Sequence, residues 1–291
     1  MNTLAPEEPS DLQEDWLGSL DLEFQKESNR TKLVKNHHQG PLCVQKPFYP
    51  EGLDHPHVYI IHPPGGIVSG DRLDISVLLR SQAQALVTGP GASRFYKARE
   101  RKSLQRQTVE LAVAEKSVLE WFPLETIVFD GAKAELVTSI SLRDDSMFIG
   151  WEICCLGMPA AGEKFSFGSF FQRYAVTVNN TPEFVDVLDL HDGTRGVLDG
   201  KAGMQSMSVS GFMLIGPING DMEPELETLR GYLVDFDDGV YASMSKVGKF
   251  LVGRYLGNSA DLAKTIFMRW WDFLRPNILN RRACVPRIWF T

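Results

Sequence analysis

Leu20-Asp21-Leu22-Glu23-Phe24 alternates apolar and acidic residues one for one. Successive side chains of a strand point to opposite faces, so this is a strand with one face in a core and one in water. The pattern recurs through most of the chain. His57-Val58-Tyr59-Ile60-Ile61 and Leu73-Asp74-Ile75-Ser76-Val77 read as strands, followed by Gln84 to Thr88, Ser117 to Phe122, Ala134 to Leu142 and Met147 to Cys155. Arg173 to Val178, Phe184 to Leu190 and Ser206 to Leu214 continue the series. Turn sequences separate them: Pro63-Pro64-Gly65-Gly66, Gly89-Pro90-Gly91, Asp130-Gly131 and Asp192-Gly193.

Two helices are expected near the C-terminus. Leu226, Leu229, Tyr232 and Leu233 share one face of 223–233. A longer helix starts at Ser259 as N-cap and carries the stripe Leu262, Ile266, Phe267, Trp270, Phe273 and Leu274. Arg275-Pro276 should end it, because the residue before proline avoids the helical region. The stripe is wide enough to predict a partner protein on part of it. The reading is thus about fifteen short strands with a small helical tail, which suits a barrel, a long double sheet or a β-helix. Residues 1–15 hold five acidic and no basic residues and are expected to be disordered; residues 16–291 are read as one domain.

A net charge of −7 argues against nucleic acid as a partner, since phosphate contacts need a basic face. The start of the chain has neither the positive nor the apolar region of a secretion signal. No apolar run approaches the roughly 20 residues that span a bilayer. The expected location is the cytoplasm. Four cysteines without a C-x-x-C fit that compartment. Cys154 and Cys155 are adjacent and point to opposite faces, a poor chelate for one ion, and all four read as inert thiols.

Enzyme signatures mostly fail. Gly196-Val197-Leu198-Asp199-Gly200-Lys201-Ala202 has one residue too few between its glycines for a phosphate-binding loop, and Ala202 stands where a hydroxyl should bind magnesium. His55 and His57 would share a strand face, but no third metal ligand stands at a readable spacing, so solvation in a loop is the expectation. Asp71, Glu120, Glu125, Glu152, Glu163 and Asp186 fall within or beside apolar strand patterns. Glu152 interrupts the run Trp151-Ile153-Cys154-Cys155-Leu156; if buried it must be paired, hydrated or ion-binding, because desolvating a lone charge costs several kcal/mol.

The densest local signal is His62-Pro63-Pro64-Gly65-Gly66-Ile67-Val68-Ser69-Gly70-Asp71. Two prolines hold the exit of a strand extended and the glycines permit a tight reversal, giving a rigid loop that aims a carboxylate. This segment resembles the HPPGGIVGGD signature of the urease accessory protein UreD (UreH) family. Four further segments match in order. Pro47-Phe48-Tyr49-Pro50 resembles the family's PFYP, and Pro90-Gly91-Ala92-Ser93-Arg94-Phe95-Tyr96 its PGASKFY. Leu119-Glu120-Trp121-Phe122-Pro123 with Glu125 is similar to LEWLPQ, and Pro286-Arg287-Ile288-Trp289-Phe290-Thr291 to the terminal PRIWLT. Ser69 replaces the usual glycine, Arg94 a lysine, Glu152 an aspartate and Asp186 a glutamate.

The resemblance implies a mainly β, elongated, β-helix-like stack of short strands with the two C-terminal helices. It also implies a non-enzymatic factor that binds a UreF-type protein, through it a UreG-type GTPase, and acts on apo-urease. No tightly bound cofactor is implied, only nickel in transit, along a passage whose lining matches Asp71, Ser93, Glu152 and Asp186. Spaced carboxylates and hydroxyls suit a cation held loosely enough to leave again. Two other readings compete. A β-helical polysaccharide-acting enzyme would use Asp71 and Glu152 as acid and base. A plain structural adaptor would have no ion path.

Overall fold

The structure is a computed structural model and describes residues 16–99, 104–232 and 239–290. The segment expected to be disordered, together with Leu233 of the first helical face, lies outside them.

Among the described residues are eighteen strands in two sheets and three α-helices, numbered here in chain order. The seven-stranded sheet comprises β1 (Leu17–Glu27), β2 (Arg30–Gln39), β5 (Arg72–Leu79), β8 (Gln105–Val113), β11 (Lys133–Leu142), β14 (Ser169–Val178) and β15 (Thr181–Leu190). The eleven-stranded sheet has a main path of β3 (Cys43–Val44), β4 (His57–Ile61), β6 (Gln84–Thr88), β9 (Val118–Phe122), β12 (Met147–Met158), β16 (Val209–Gly216), β18 (Phe250–Gly257) and β17 (Tyr241–Val247). Three short strands join it from the side: β7 (Ser93–Phe95), β10 (Thr126–Val128) and β13 (Glu163–Lys164).

From β4 to β14 the chain passes back and forth between the sheets, and strands one turn apart pair in parallel. β5, β8, β11 and β14 line up in one sheet, and β4, β6, β9 and β12 in the other. β7 and β10 add a third, shorter side to their turns and pair in parallel with each other. This is the winding of a β-helix. Antiparallel strands close both ends of the seven-stranded sheet, β2 on β1 and β15 on β14.

Alternation places one set of side chains between the sheets. Leu73, Val77, Val109, Leu111, Leu136, Ile140, Val87, Leu119 and Phe148 build this inner core. The outer face of the eleven-stranded sheet is not left to water. α3 (Ala260–Leu279) packs across it, and Trp151, Met213, Ile215, Phe267, Trp270 and Trp271 form a second, outer core. Ser259 caps α3 by accepting from the Leu262 amide at 3.2 Å. α2 (Glu223–Gly231) buries Leu226 and Leu229, while Tyr232 packs edge-on against Phe273.

One expectation about α3 is corrected. The helix does not stop at Arg275-Pro276 but runs to Leu279 and ends with Asn280 in the left-handed conformation. Pro276 lies in the last turn, where its missing N–H removes one bond, and the Arg275 side chain is pinned by buried partners described below. Of the apolar stripe, Ile266, Phe267, Trp270 and Leu274 are buried within the chain, with Trp271 beside them 6.4 Å from the ring of Trp289 of the C-terminal segment, while Leu262 and Phe273 are half-buried. None of the described helices is long and apolar enough to cross a membrane.

Candidate functional site

The inner core contains a line of polar groups. Thr138 of β11 stands beside Tyr174 of β14 in the parallel register, and Asp186 of the antiparallel β15 stands beside Tyr174. Glu152 projects from β12 toward them. It is buried, accepts from the Thr138 hydroxyl at 2.5 Å and from the Gln172 amide at 2.6 Å, and has no cationic partner among the described residues. Burial raises its carboxyl to about 7 against an ordinary 4.5; the two neutral donors offset part of that, and the nearby Asp186 charge adds to it. Tyr174 Oη is buried without a hydrogen-bond partner among the described residues, and burial with the Glu152 charge pushes that phenol well up. The Cys154 thiol, on the same face of β12, is pushed up by the same two causes.

Asp186 does not stand free. Arg254 of β18 reaches across the end of the stack and donates to both its oxygens, at 2.8 and 3.1 Å. The strand around Asp186 also reverses the usual pattern, for Val185 and Val187 are the exposed residues and the acid turns inward. Beyond this pair a groove of about 660 Å³ opens, lined by Arg254, Tyr241, Met204 and Ser210.

Ser93 and the His62–Asp71 loop lie further along the stack. Ser93 lines a cavity of about 180 Å³ between the sheets, with His62, Gly65, Arg94, Gln107 and Trp121. Gly65 and Gly70 adopt φ of +72° and +88°, the left-handed turns expected of the loop. Asp71 is aimed back at its own loop, accepting from the Val68 amide at 3.0 Å. Burial pushes the His62 imidazole down, against the opposing pull of the Asp71 carboxylate. Gly66 has a packing role, since a Cβ there would come within 2.1 Å of the Tyr96 ring, which stacks on Phe129. Gly66→Ala is expected to displace that stack and cost ~1–3 kcal/mol, read as a lower midpoint of thermal unfolding.

The sequence-derived residues therefore fall in different places: Ser93 lines the cavity, Asp71 is turned back into its own loop beside it, and Glu152 and Asp186 lie toward the groove. Asp71 and Glu152 share no hydrogen-bond or ion-pair partner among the described residues. The Gly196–Ala202 segment is a single helical turn, α1 (Gly196–Asp199), running into turns. A phosphate loop instead leads from a strand into a full helix.

Sequence reasoning missed a third cluster, on the outer face. Glu120 points out of β9 under α3, fully buried. It accepts from Trp271 Nε1 at 2.6 Å, from Arg275 Nη2 at 2.7 Å, and stands 2.8 Å from His55 Nε2. Arg275 also donates to Glu51 at 2.6 and 2.9 Å and to the Arg282 carbonyl. His57 Nε2 lies 2.7 Å from Glu51, and Cys284 completes a set with Glu51 and His57 in which the ligand atoms lie within 4.8 Å of one another. Burial alone would raise Glu120; bonds and charge from His55 and Arg275 outweigh it and hold the carboxyl down at about 2. The expected solvation of His55 and His57 is corrected: both are buried, on one face as read, with carboxylate partners. Their partners are Glu51, Gln84, Glu120 and Arg275, and all but Glu51 are remote in sequence, so local spacing carried little signal.

A profile of the UreD urease accessory protein family matches residues 17–290. Urease accessory protein UreD of Marinomonas sp. (strain MWYL1) is 38% identical, covering 95% of this chain and 90% of its own length. Urease accessory protein UreD 2 of Brucella anthropi is 37% identical over 95% of this chain and 98% of its own. The Klebsiella aerogenes protein of the first name is 36% identical over 96% and 98%. With the match running from β1 to the C-terminal segment that carries Trp289, this chain belongs to the UreD family of urease accessory proteins.

Proposed function

We propose that this chain is a cytoplasmic, non-catalytic maturation factor that bridges apo-urease and a UreF-type protein with its UreG-type GTPase, and passes nickel toward urease through the space between its two sheets. The observation that carries the reading is Glu152. A carboxylate buried among neutral donors, with no cation beside it, costs stability and is retained only where something else requires it. Glu152 lies between the cavity at Ser93 and the groove at Arg254, with Asp186 as the next acidic group. Neutral donors and single carboxylates would slow a divalent ion without trapping it, as a conduction path requires. The Asp186–Arg254 pair would act as the barrier at the groove end, because an arginine repels the ion until the pair parts.

The test compares Glu152→Ala, Glu152→Lys and Asp186→Ala for two quantities, yield of the complex with the UreF-type partner and nickel content of the urease produced. Asp186→Ala should be cheap in stability, under ~1 kcal/mol, since its ion pair is half exposed. All three should form the complex, while urease nickel falls, most for Glu152→Lys and most visibly when nickel is scarce. Excess nickel should partly restore the alanine variants. A joint loss of complex and nickel would make the residues structural and leave the plain adaptor reading in place.

A further inference from the structure

The outer cluster divides into two halves of different character. In the first, Glu51, His55 and Glu120 converge, but the Arg275 guanidinium occupies their centre, 2.6 Å from Glu51, 2.7 Å from Glu120 and 3.5 Å from His55. No second cation fits there. In the other half, His57 and Cys284 converge on Glu51, whose two oxygens also accept from Arg275 at 2.6 and 2.9 Å. This half combines a carboxylate, an imidazole and a thiol, the donor set of zinc-class ions.

We propose that Glu51, His57 and Cys284 form a binding site for one thiophilic divalent cation of the zinc, nickel or cobalt class. Three observations support it. The His57 ring is buried with Nε2 against Glu51, and its Nδ1 has no hydrogen-bond partner among the described residues. No described protein group holds Nδ1 as an acceptor, so the ring proton can sit there and leave the Nε2 lone pair to an ion. Charge is the second. Two buried carboxylates, Glu51 and Glu120, face one buried guanidinium, and the neighbouring Arg281 is matched by Asp54 at 2.6 Å. One negative charge is left for a proton on an imidazole or for a metal ion to balance. A bound divalent ion would ionise Cys284 outright and bring the whole cluster to neutrality.

Geometry is the third. Ligand atoms around one tetrahedral ion lie about 3.5 Å apart, given metal–nitrogen and metal–oxygen distances near 2.1 Å and metal–sulfur near 2.3 Å. The 2.7 Å edge from His57 to Glu51 must therefore widen, and the edges to sulfur close in from at most 4.8 Å. Both movements are available. Glu51 stands in a turn ahead of β4, and Cys284 lies in an irregular, half-buried stretch of the C-terminal segment. Solvent can supply the fourth ligand from the Cys284 side. An ion held here would tie the C-terminal segment with Trp289 to the turn before β4, which makes it a stapling site and separate from the passage at Glu152.

Cobalt is the probe, because a thiolate ligand gives it a charge-transfer absorption in the near ultraviolet. Titrating the purified full chain with Co2+ should produce that absorption with about one ion retained per chain after desalting. Zinc added afterwards should remove it. Cys284→Ser should abolish the absorption and weaken retention at least ~10-fold, with unchanged circular dichroism. Cys43→Ser should leave both as in the wild type. The proposal is overturned if the full chain shows no thiolate absorption. It is equally overturned if the absorption persists in Cys284→Ser or disappears in Cys43→Ser, either of which would assign it to another cysteine. Nickel passage through the inner core could fail or hold without altering any of these outcomes.

Discussion

Replacing Arg275 by methionine is expected to cost ~3–5 kcal/mol, the largest single loss predicted for a side chain in this fold. The volume is nearly kept, so the cost comes from charge. Arg275 is fully buried and is the cation on which both Glu51 and Glu120 depend. Without it Glu120 keeps only Trp271 and His55, and a lone buried carboxylate is pushed to take up a proton. A chain of this size should lose roughly 10 °C in the midpoint of thermal unfolding. The pH dependence should also reverse on the acid side. In the wild type the Glu120 carboxyl sits at about 2, below its ordinary 4.5, so its contribution is present above pH ~4.5 and is lost as pH falls toward ~2. In Arg275→Met the folded value rises instead, and the variant should gain stability as the solution is acidified through the weakly acidic range. Adding Glu120→Gln to Arg275→Met should recover part of the loss, because a neutral amide needs no counter-charge. A midpoint for Arg275→Met within 2–3 °C of the wild type, about the shift of 1 kcal/mol, would show that the network contributes little.

How far such a network could have been read from the chain depends on the distance over which each signal acts. Strand alternation is local, and β4 and β6 lie where the alternation and turn residues put them, at His57–Ile61 and Gln84–Thr88. β2 was not legible, because Arg30–Gln39 is an edge strand whose residues are mostly exposed and polar, with no buried face to impose a period. Ser259 and the apolar stripe announced α3, yet its last turn was misplaced, since the contacts that hold Arg275 in the helix come from residues 51 and 120. Glu152 could be singled out because an acid inside an apolar run is anomalous by itself. Its surroundings could not, for Thr138 and Gln172 reach it only through the parallel pairing of different turns of the stack. Glu120 had the same anomaly and the opposite environment. Two acids alike in sequence lie on opposite faces of one sheet, one matched by an arginine and one by none among the described residues. Alternation could place each on a face; only the packing of α3 decides that the outer face is dry.

Glu152→Gln is expected to stabilise the protein at alkaline pH while lowering the nickel content of the urease it helps to mature. Most changes that impair a buried position lower stability and function together, so opposite signs would be specific to the role proposed here. The folded carboxyl holds its proton up to about pH 7, against an ordinary 4.5. Its stabilising contribution is therefore full below pH ~4.5 and is lost as pH rises through ~7, a difference of ~3 kcal/mol for the fully ionised group. Glutamine keeps the shape and stays neutral at every pH. It still accepts from Thr138, and Gln172 can turn its amide over to accept from it. The variant should thus resemble the wild type near pH 5 and exceed it by roughly 5–10 °C in unfolding midpoint near pH 8. Nickel transfer asks for the opposite property. A divalent ion beside Glu152 favours the ionised carboxylate, and an amide offers it only a dipole. Urease nickel should fall with Glu152→Gln, and the wild type's advantage should widen from pH ~6 to ~8 as its carboxylate ionises. If Glu152→Gln instead lowers the midpoint near pH 8, the carboxylate is already ionised and satisfied by its neighbours, and the argument that it is retained at a cost fails. If stability rises as expected and urease nickel is unchanged, the ion takes another route.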